Sequence, residues 1–300
     1  MSTDGSKEKP TKQITLDLGE LDENELAFLK SQTGIEDVEV LTRHVEDIAR
    51  RAHKVFGYDY LTRTLFLKFR STRLPVYKHV LELGKTRDDA LFLDVGCGWI
   101  PQVGHDIRKT IADEYPIQNM VGSDLHPEFW DLGHELFKST PETFPVPFIP
   151  GDALDDDFIP NRDPFLDMPT TSKPSRQSLA SSKSLASLQG HVSVIHASAL
   201  FHLFLKESQR RLARKLASLL SPVPGSVIFG VHRGLPQPGE IFNTRSEQIF
   251  CHSADSWKRL WIGGEGEVGV FPSDAVDVQA VVIQVALKET WILVWSVKRI

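Results

Sequence analysis

Over residues 35–55 the apolar positions Val38, Leu41, Val45, Ile48, Ala52 and Val55 advance by three or four, the period of an amphipathic helix, and Gly57 supplies a stop. Residues 58–83 mix Phe66, Phe69, Val76, Tyr77 and Val80 with arginines and read as more helix. The pattern changes after Asp89. Leu91-Phe92-Leu93-Asp94-Val95 is a short apolar run that breaks on Gly96-Cys97-Gly98, as a buried parallel strand does where it enters a tight turn. Similar runs recur at 120–121, 147–149, 192–196 and 227–231. Helical stretches alternate with them. One opens at His126-Pro127, with Pro127 in the first turn and Phe129, Leu132, Leu136 and Phe137 on one face. Another spans about 206–220, with Leu212, Leu216, Leu219 and Leu220 inward and Arg210, Arg211, Arg214 and Lys215 outward.

Strand and helix in repeated alternation argue for a parallel sheet covered on both faces. The last two runs, 278–287 and 291–298, are too close for a parallel crossover and pair antiparallel. The expected architecture is therefore an α/β, Rossmann-like fold: a mostly parallel seven-stranded sheet ending in an antiparallel C-terminal hairpin, preceded by an N-terminal helical cap. Residues 1–20 read as a flexible terminus, 21–85 as the cap and 86–300 as the main domain. Residues 168–189 hold seven serines, three basic residues and no acid, and repeat Ser-Leu-Ala at 178 and 184. They read as a mobile surface insertion that folding does not need.

Composition narrows the partners. With 41% hydrophobic and 25% charged residues the chain is an ordinary globular one. Lys and Arg number 34 against 40 Asp and Glu, so no basic field exists to hold nucleic acid or an anionic membrane. Residues 280–297 are cut by Gln284, Lys288 and Glu289, too soon for a membrane span. The polar stretch 1–13 lacks a signal-peptide core. Two cysteines, Cys97 and Cys251, make neither a disulfide framework nor a Cys-rich zinc site. A cytoplasmic location follows as the expectation.

The chemistry concentrates at strand ends. Glycines at 96 and 98 let the backbone turn sharply and approach a ligand. A dinucleotide fingerprint wants a third glycine where Pro101 stands and an apolar residue where Asp94 stands, so a nicotinamide cofactor is disfavoured. An acid at 94 suits a ligand bearing an ammonium group. Asp124 follows the next strand, where a carboxylate accepts both hydroxyls of a ribose. Asp152 ends the run after that. Three acids at successive strand ends line the crevice in which open α/β sheets bind ligands.

The order Leu-Asp-Val-Gly-Cys-Gly at 93–98, Gly-Ser-Asp-Leu at 122–125 and Gly-Asp-Ala at 151–153, with an antiparallel C-terminal hairpin, resembles the class I S-adenosylmethionine-dependent methyltransferases. Residues 122–133, 195–204, Phe250-Cys251-His252-Ser253 and Leu293-Val294-Trp295-Ser296-Val297 are similar, more narrowly, to the fungal secondary-metabolite, meroterpenoid-type O-methyltransferases. The resemblance implies S-adenosylmethionine as cofactor. It assigns Asp94, Gly96 and Gly98 to the methionine half, Asp124 and Leu125 to ribose and adenine, and Asp152 and Ala153 to the adenine ring. His196, Ala197, Ser198 and Ala199 would form the wall beside the transferred methyl. One departure is a loop at 99–103 about four residues longer than the family pattern, ahead of Gly104-His105-Asp106-Ile107-Arg108-Lys109.

The acceptor implied is an oxygen of a small apolar metabolite, a carboxylate favoured over a hydroxyl. A carboxylate is already nucleophilic; a hydroxyl wants a base, for which His202, His232 and His252 are the candidates. Phe66, Tyr77, Phe201, Phe242, Phe250 and Trp257 are available to line an apolar pocket. No metal is expected, since His196, His202 and His252 lack the helical pairing or Cys neighbours of a metal site. The alternatives are a non-catalytic relative acting as a regulatory partner, which the enlarged loop would suit, and a nicotinamide-dependent oxidoreductase.

Overall fold

The structure is a computed structural model and describes residues 14–56, 64–97, 104–243, 245–285 and 290–300. Five strands, β1 (Leu91–Val95), β2 (Met120–Asp124), β3 (Phe148–Pro150), β4 (Val192–His196) and β5 (Val227–Arg233), run parallel. A small hairpin, β6 (Gly239–Phe242) with β7 (Gln248–Cys251), stands apart from the sheet. The long pair β8 (Val276–Val285) and β9 (Thr290–Arg299) then completes seven strands in the order β3-β2-β1-β4-β5-β9-β8. β9 is antiparallel to both of its neighbours, which the short link between the last two runs requires for its pairing with β8. β1 and β4 are buried at every position, which is why their residues form unbroken apolar runs instead of alternating ones.

Before the sheet lie α1 (Glu23–Thr33), α2 (Val38–Val55) and α3 (Tyr77–Thr86). α1 has little amphipathic pattern and escapes a search by periodicity. Its start is nonetheless written in Asp22 and Glu25, whose side chains cap each other's backbone N–H groups at 2.9 and 3.0 Å. α2 begins three residues later than expected, where Asp37 caps Val40, and this leaves Val38 exposed at its first turn. Leu41, Val45, Ile48 and Ala52 are buried in a cluster with Phe129, Leu132 and Leu136. The helical reading of 58–83 is corrected: residues 57–63 lie outside the described residues, 64–67 and 71–73 are single 3-10 turns, and α3 starts only after Pro75.

Two further helices follow the first two strands, α4 (His105–Ala112) and α5 (Pro127–Leu136). α2 packs along α5, and His44 Nε2–H donates to the α5 carbonyl of Leu136 at 2.9 Å. The stretch between the 3-10 turns is pinned from two sides. Glu25, fully buried, accepts from Phe69 N–H and from Arg73, while Asp106 on α4 accepts from both the amide and the hydroxyl of Ser71. The N-terminal elements are thereby fastened to α4 and α5, the helices that follow the first two candidate acids.

Beyond these come the short α6 (Arg176–Ala180), α7 (Lys206–Leu219) and α8 (Ala254–Ile262). α7 buries Leu212, Leu216 and Leu219 as expected, but Lys215 is not on its outer face. It is buried, with Nζ donating to the carbonyls of Asp155 and Ile159 and to Asp156 Oδ1, so its charge closes the loop after β3.

The Ser-rich segment is also corrected. Leu179, Leu185 and Leu188 are buried in the same cluster as α7 and the core strands, and Leu185 N–H donates to Phe158 O at 3.0 Å. The Ser-Leu-Ala repeat places leucines inward while its serines cap and turn, so polarity along the chain concealed three core side chains. Leu185→Ala should therefore cost about 2–5 kcal/mol, the range for truncating a fully buried leucine, and replacing residues 168–189 with a Gly/Ser linker should cost more. Urea denaturation reads both; a midpoint unchanged by the linker would show the segment to be dispensable.

Candidate functional site

The C-terminal edge of the sheet collects the acids. Asp94 on β1 is fully buried, and its register partner on β4 is His196, also fully buried. His196 Nδ1–H donates to Asp94 Oδ1 at 2.9 Å. On the ring's other side Ser198 Oγ lies 2.7 Å from Nε2 and accepts the backbone N–H of Val231 at 3.1 Å. Val231, Ser198, His196 and Asp94 thus form one continuous hydrogen-bonded chain across β5, β4 and β1. Burial pushes the Asp94 carboxyl up against the pull of His196; burial also pulls the His196 ring down, but Asp94 outweighs that and raises it. Asp94 Oδ2 is buried with no partner among the described residues.

Backbone geometry holds this relay in place. A side chain at Gly230 would put its Cβ 2.6 Å from the carbonyl oxygen of Ala197, so only glycine lets β5 approach the exit of β4 this closely. Ala199 then adopts a left-handed conformation with φ 52° and donates to Val231 O at 2.7 Å, which turns the chain across the end of β5.

The remaining cofactor candidates divide. Gly96 has φ +77°, as a tight turn after β1 demands, whereas Gly98 and the enlarged loop 99–103 lie outside the described residues. Asp124 is buried at the end of β2, with Oδ1 accepting His126 N–H at 2.9 Å. Beside it Leu125 is 49% exposed, an apolar side chain turned out next to a buried acid. Asp152 is exposed, and its Oδ1 accepts from Leu154 N at 2.8 Å; Ala153 is half-buried and Ala197 fully buried. Of the three acids, two are enclosed and the third stands at the rim.

The three candidate histidines come together in one aromatic cluster. His202 and His232 stack at 6.1 Å, and Trp257 lies 4.8 Å from His232 and 5.3 Å from His252, with Phe201 and Phe250 in contact. Trp295 Nε1–H donates to His232 Nδ1 at 3.0 Å, and His252 Nδ1 shares a 2.8 Å bond with Ser256 Oγ. Burial, with Arg233 and Arg70 adding to it, holds His202 down at about 3; burial and the nearby Lys206 hold His252 at about 4; burial holds His232 well below its ordinary value. Phe66, Tyr77 and Phe242 are elsewhere: the first packs under α2, the second bonds Asp113, and the third is exposed.

Two partners were not legible in the sequence. Arg70 lies near enough to lower both His196 and His202, and Asp106 near enough to raise both Asp94 and His196. Both belong to the junction at Ser71, so the N-terminal elements reach the acid–histidine pair. Only the Gly-x-Asp of residues 104–106 hinted at this.

Five parallel strands flanked by an antiparallel β9, with buried acids at the ends of β1 and β2, define a Rossmann-like methyltransferase fold. The sequence agrees at finer grain. Residues 14–67 match the family model for the meroterpenoid methyltransferase N-terminal domain. The chain is 30% identical over 233 residues to the methyltransferase adrK of Penicillium rubens, covering 77% of this chain and 72% of that protein. It is 29% identical over 264 residues to adrK of Penicillium roqueforti, covering 87% and 83%, and 28% identical over 237 residues to the O-methyltransferase phiE of a fungal species, covering 77% and 67%. The chain belongs to this family of fungal methyltransferases.

The buried histidines set an acid limit on stability. Burial also holds His105 at about 4, among Phe28, Phe69 and Phe137. The unfolded chain binds protons at such rings from about pH 6.5 downward, whereas the folded chain refuses them until about pH 4, so stability that is complete above 6.5 is lost as the pH falls through this window. By pH 5 each of His105 and His252 should remove about 2 kcal/mol. Urea midpoints at pH 7 and pH 5 test this; equal midpoints would contradict the buried neutral state.

Proposed function

We propose that the protein moves the methyl group of S-adenosylmethionine to a carboxylate oxygen of a small apolar metabolite. The observation that carries the reading is Asp94: a buried carboxylate with one oxygen held by His196 and the other without a partner among the described residues is suited to a cation, and the cofactor's α-ammonium is one. Asp124 would accept the ribose hydroxyls, with Leu125 against the adenine and Asp152 and Ala153 at its rim. Gly96 leaves room for the methionine half. When bound, the cofactor supplies a methyl carbon made electrophilic by its sulfonium.

The protein's part is to hold and dry the site. Asp94, Gly96 and Asp124 would hold the cofactor so that an acceptor oxygen could take its methyl, the carbon–sulfur electron pair staying with the leaving sulfur. A carboxylate yields an ester with no proton to move. Positioning the oxygen about 3 Å from the methyl and excluding water are then the main tasks, and the N-terminal elements would close over it. The name of phiE supports an oxygen as acceptor. Histidines held at about 3 and 4 are weak bases at neutral pH, which supports a carboxylate over a hydroxyl. No helix among the described residues is long and apolar enough to cross a membrane, and buried free thiols at Cys97 and Cys251 suit a reducing cytoplasm.

Calorimetry with S-adenosylhomocysteine tests the cofactor, with NADH as the control. The wild type should bind the first and not the second. His196→Ala should weaken S-adenosylhomocysteine about tenfold or more, yet change the affinity for 5′-methylthioadenosine, which lacks the ammonium, by less than twofold. Equal losses for both ligands would make His196 a structural residue only. With an apolar carboxylic acid found by screening for release of S-adenosylhomocysteine, kcat should stay flat from about pH 6 to 8, because neither the acceptor nor His202, His232 and His252 titrate there. A rate rising through pH 6.5 would point to a histidine base and a hydroxyl acceptor.

A further inference from the structure

The aromatic cluster holds more unpartnered polar atoms than a packing role explains. His232 Nε2, Trp257 Nε1 and Trp261 Nε1 are all buried with no hydrogen-bond partner among the described residues. Their rings form one connected group, with Trp257 4.8 Å from both His232 and Trp295 and 5.8 Å from Trp261. Leaving a buried polar group unpaired is costly, so these three, beside His202 Nδ1 and His252 Nε2 in the same state, point to a ligand at this cluster.

The chemistry of that ligand follows from the tautomer of His232. An indole N–H can only donate, so the 3.0 Å bond from Trp295 Nε1 makes His232 Nδ1 an acceptor. A neutral imidazole carries its one proton on the other nitrogen, and burial keeps this ring neutral. His232 Nε2–H is therefore a donor, as are both free indoles. Three donors within an apolar wall suit an oxygen-rich anion attached to an apolar body, not a hydroxyl that must give up a proton.

We propose that His232, Trp257 and Trp261 form the subsite that binds the acceptor's carboxylate, with His232 a hydrogen-bond donor to it and not a base. The proposal rests on the methyl-transfer reading and assigns its acceptor side. Location agrees: the cluster begins at Phe201 and His202, directly after the β4 exit that carries His196 and Ser198, and Arg70 acts on both His196 and His202. Apolar carboxylic acids are then the substrate class. Binding to the donors requires the carboxylate to enter the cluster, and Trp257 and Trp261 report that entry by their own fluorescence.

The test uses the whole chain saturated with S-adenosylhomocysteine, with decanoate and decan-1-ol as probes, followed by tryptophan fluorescence and calorimetry. Decanoate should bind at least tenfold more tightly than decan-1-ol. His232→Phe and Trp257→Phe keep a ring but lose a donor, and each should weaken decanoate about tenfold while leaving decan-1-ol and S-adenosylhomocysteine within twofold. His232→Gln, which can accept from Trp295 and still donate, should stay within threefold of the wild type. In the unmodified protein, long-range proton–nitrogen spectra should show His232 protonated at Nε2, with that proton shifting when decanoate is added. Equal affinity for acid and alcohol, no detectable decanoate binding, a proton on Nδ1, or a His232→Gln variant as weak as His232→Phe would each overturn the subsite. Failure of the wild type to bind S-adenosylhomocysteine would instead sink the methyl-transfer reading.

Discussion

A carboxylate buried between parallel strands is the constraint around which this molecule is built. Asp94 sits at the end of β1 with its neighbours in the sheet on both sides, where an unpaired charge would be costly. His196 answers half of that cost through one hydrogen bond, and Ser198 with the Val231 amide fixes the ring that makes it. The other carboxylate oxygen has no partner among the described residues, and in the proposed reading it meets a cation. Much of the surrounding geometry serves this arrangement: the close approach permitted by Gly230, the left-handed Ala199, and the Ser71–Asp106 clasp that brings the N-terminal elements to the same place.

In the proposed reading the two halves of the site use opposite electrostatics. On the cofactor side, Asp94 and Asp124 are buried acids at adjacent strand ends, a setting for an ammonium and for ribose hydroxyls. On the acceptor side the buried groups are neutral rings whose free polar atoms include N–H donors. A cationic donor and an anionic acceptor would thus each meet complementary partners, and their own attraction brings the oxygen toward the methyl. Water exclusion strengthens both sets of contacts, because each works in a low-dielectric interior.

Much of the fold was legible because parallel strands buried on both faces leave unbroken apolar runs. β1 and β4 have the bounds that their sequence runs predict, and the closing antiparallel pair followed from the length of its link. What was hidden had physical reasons. α1 lacks an apolar stripe, so only its Asp22–Glu25 capping box marks it. The leucines of the Ser-rich segment are core residues diluted by turn-forming serines, and Lys215 is a core cation satisfied by carbonyls that a helical wheel cannot show. In the site, the acids were found through their glycine neighbours, but the pairing of Asp94 with His196 depends on β4 lying beside β1, which sequence order does not reveal. The histidines were recognised as candidates for a base. Hidden from the sequence was that Trp295, far away in the chain, donates to His232 Nδ1.

The most direct test of this account is a crystal structure of the protein with S-adenosylhomocysteine bound. The account predicts the α-amino nitrogen within about 3.2 Å of Asp94 Oδ2, while His196 Nδ1 remains on Oδ1 and Ser198 remains on Nε2. An amino group bound elsewhere, or a His196 ring turned away from Asp94 to admit the ligand, would contradict it.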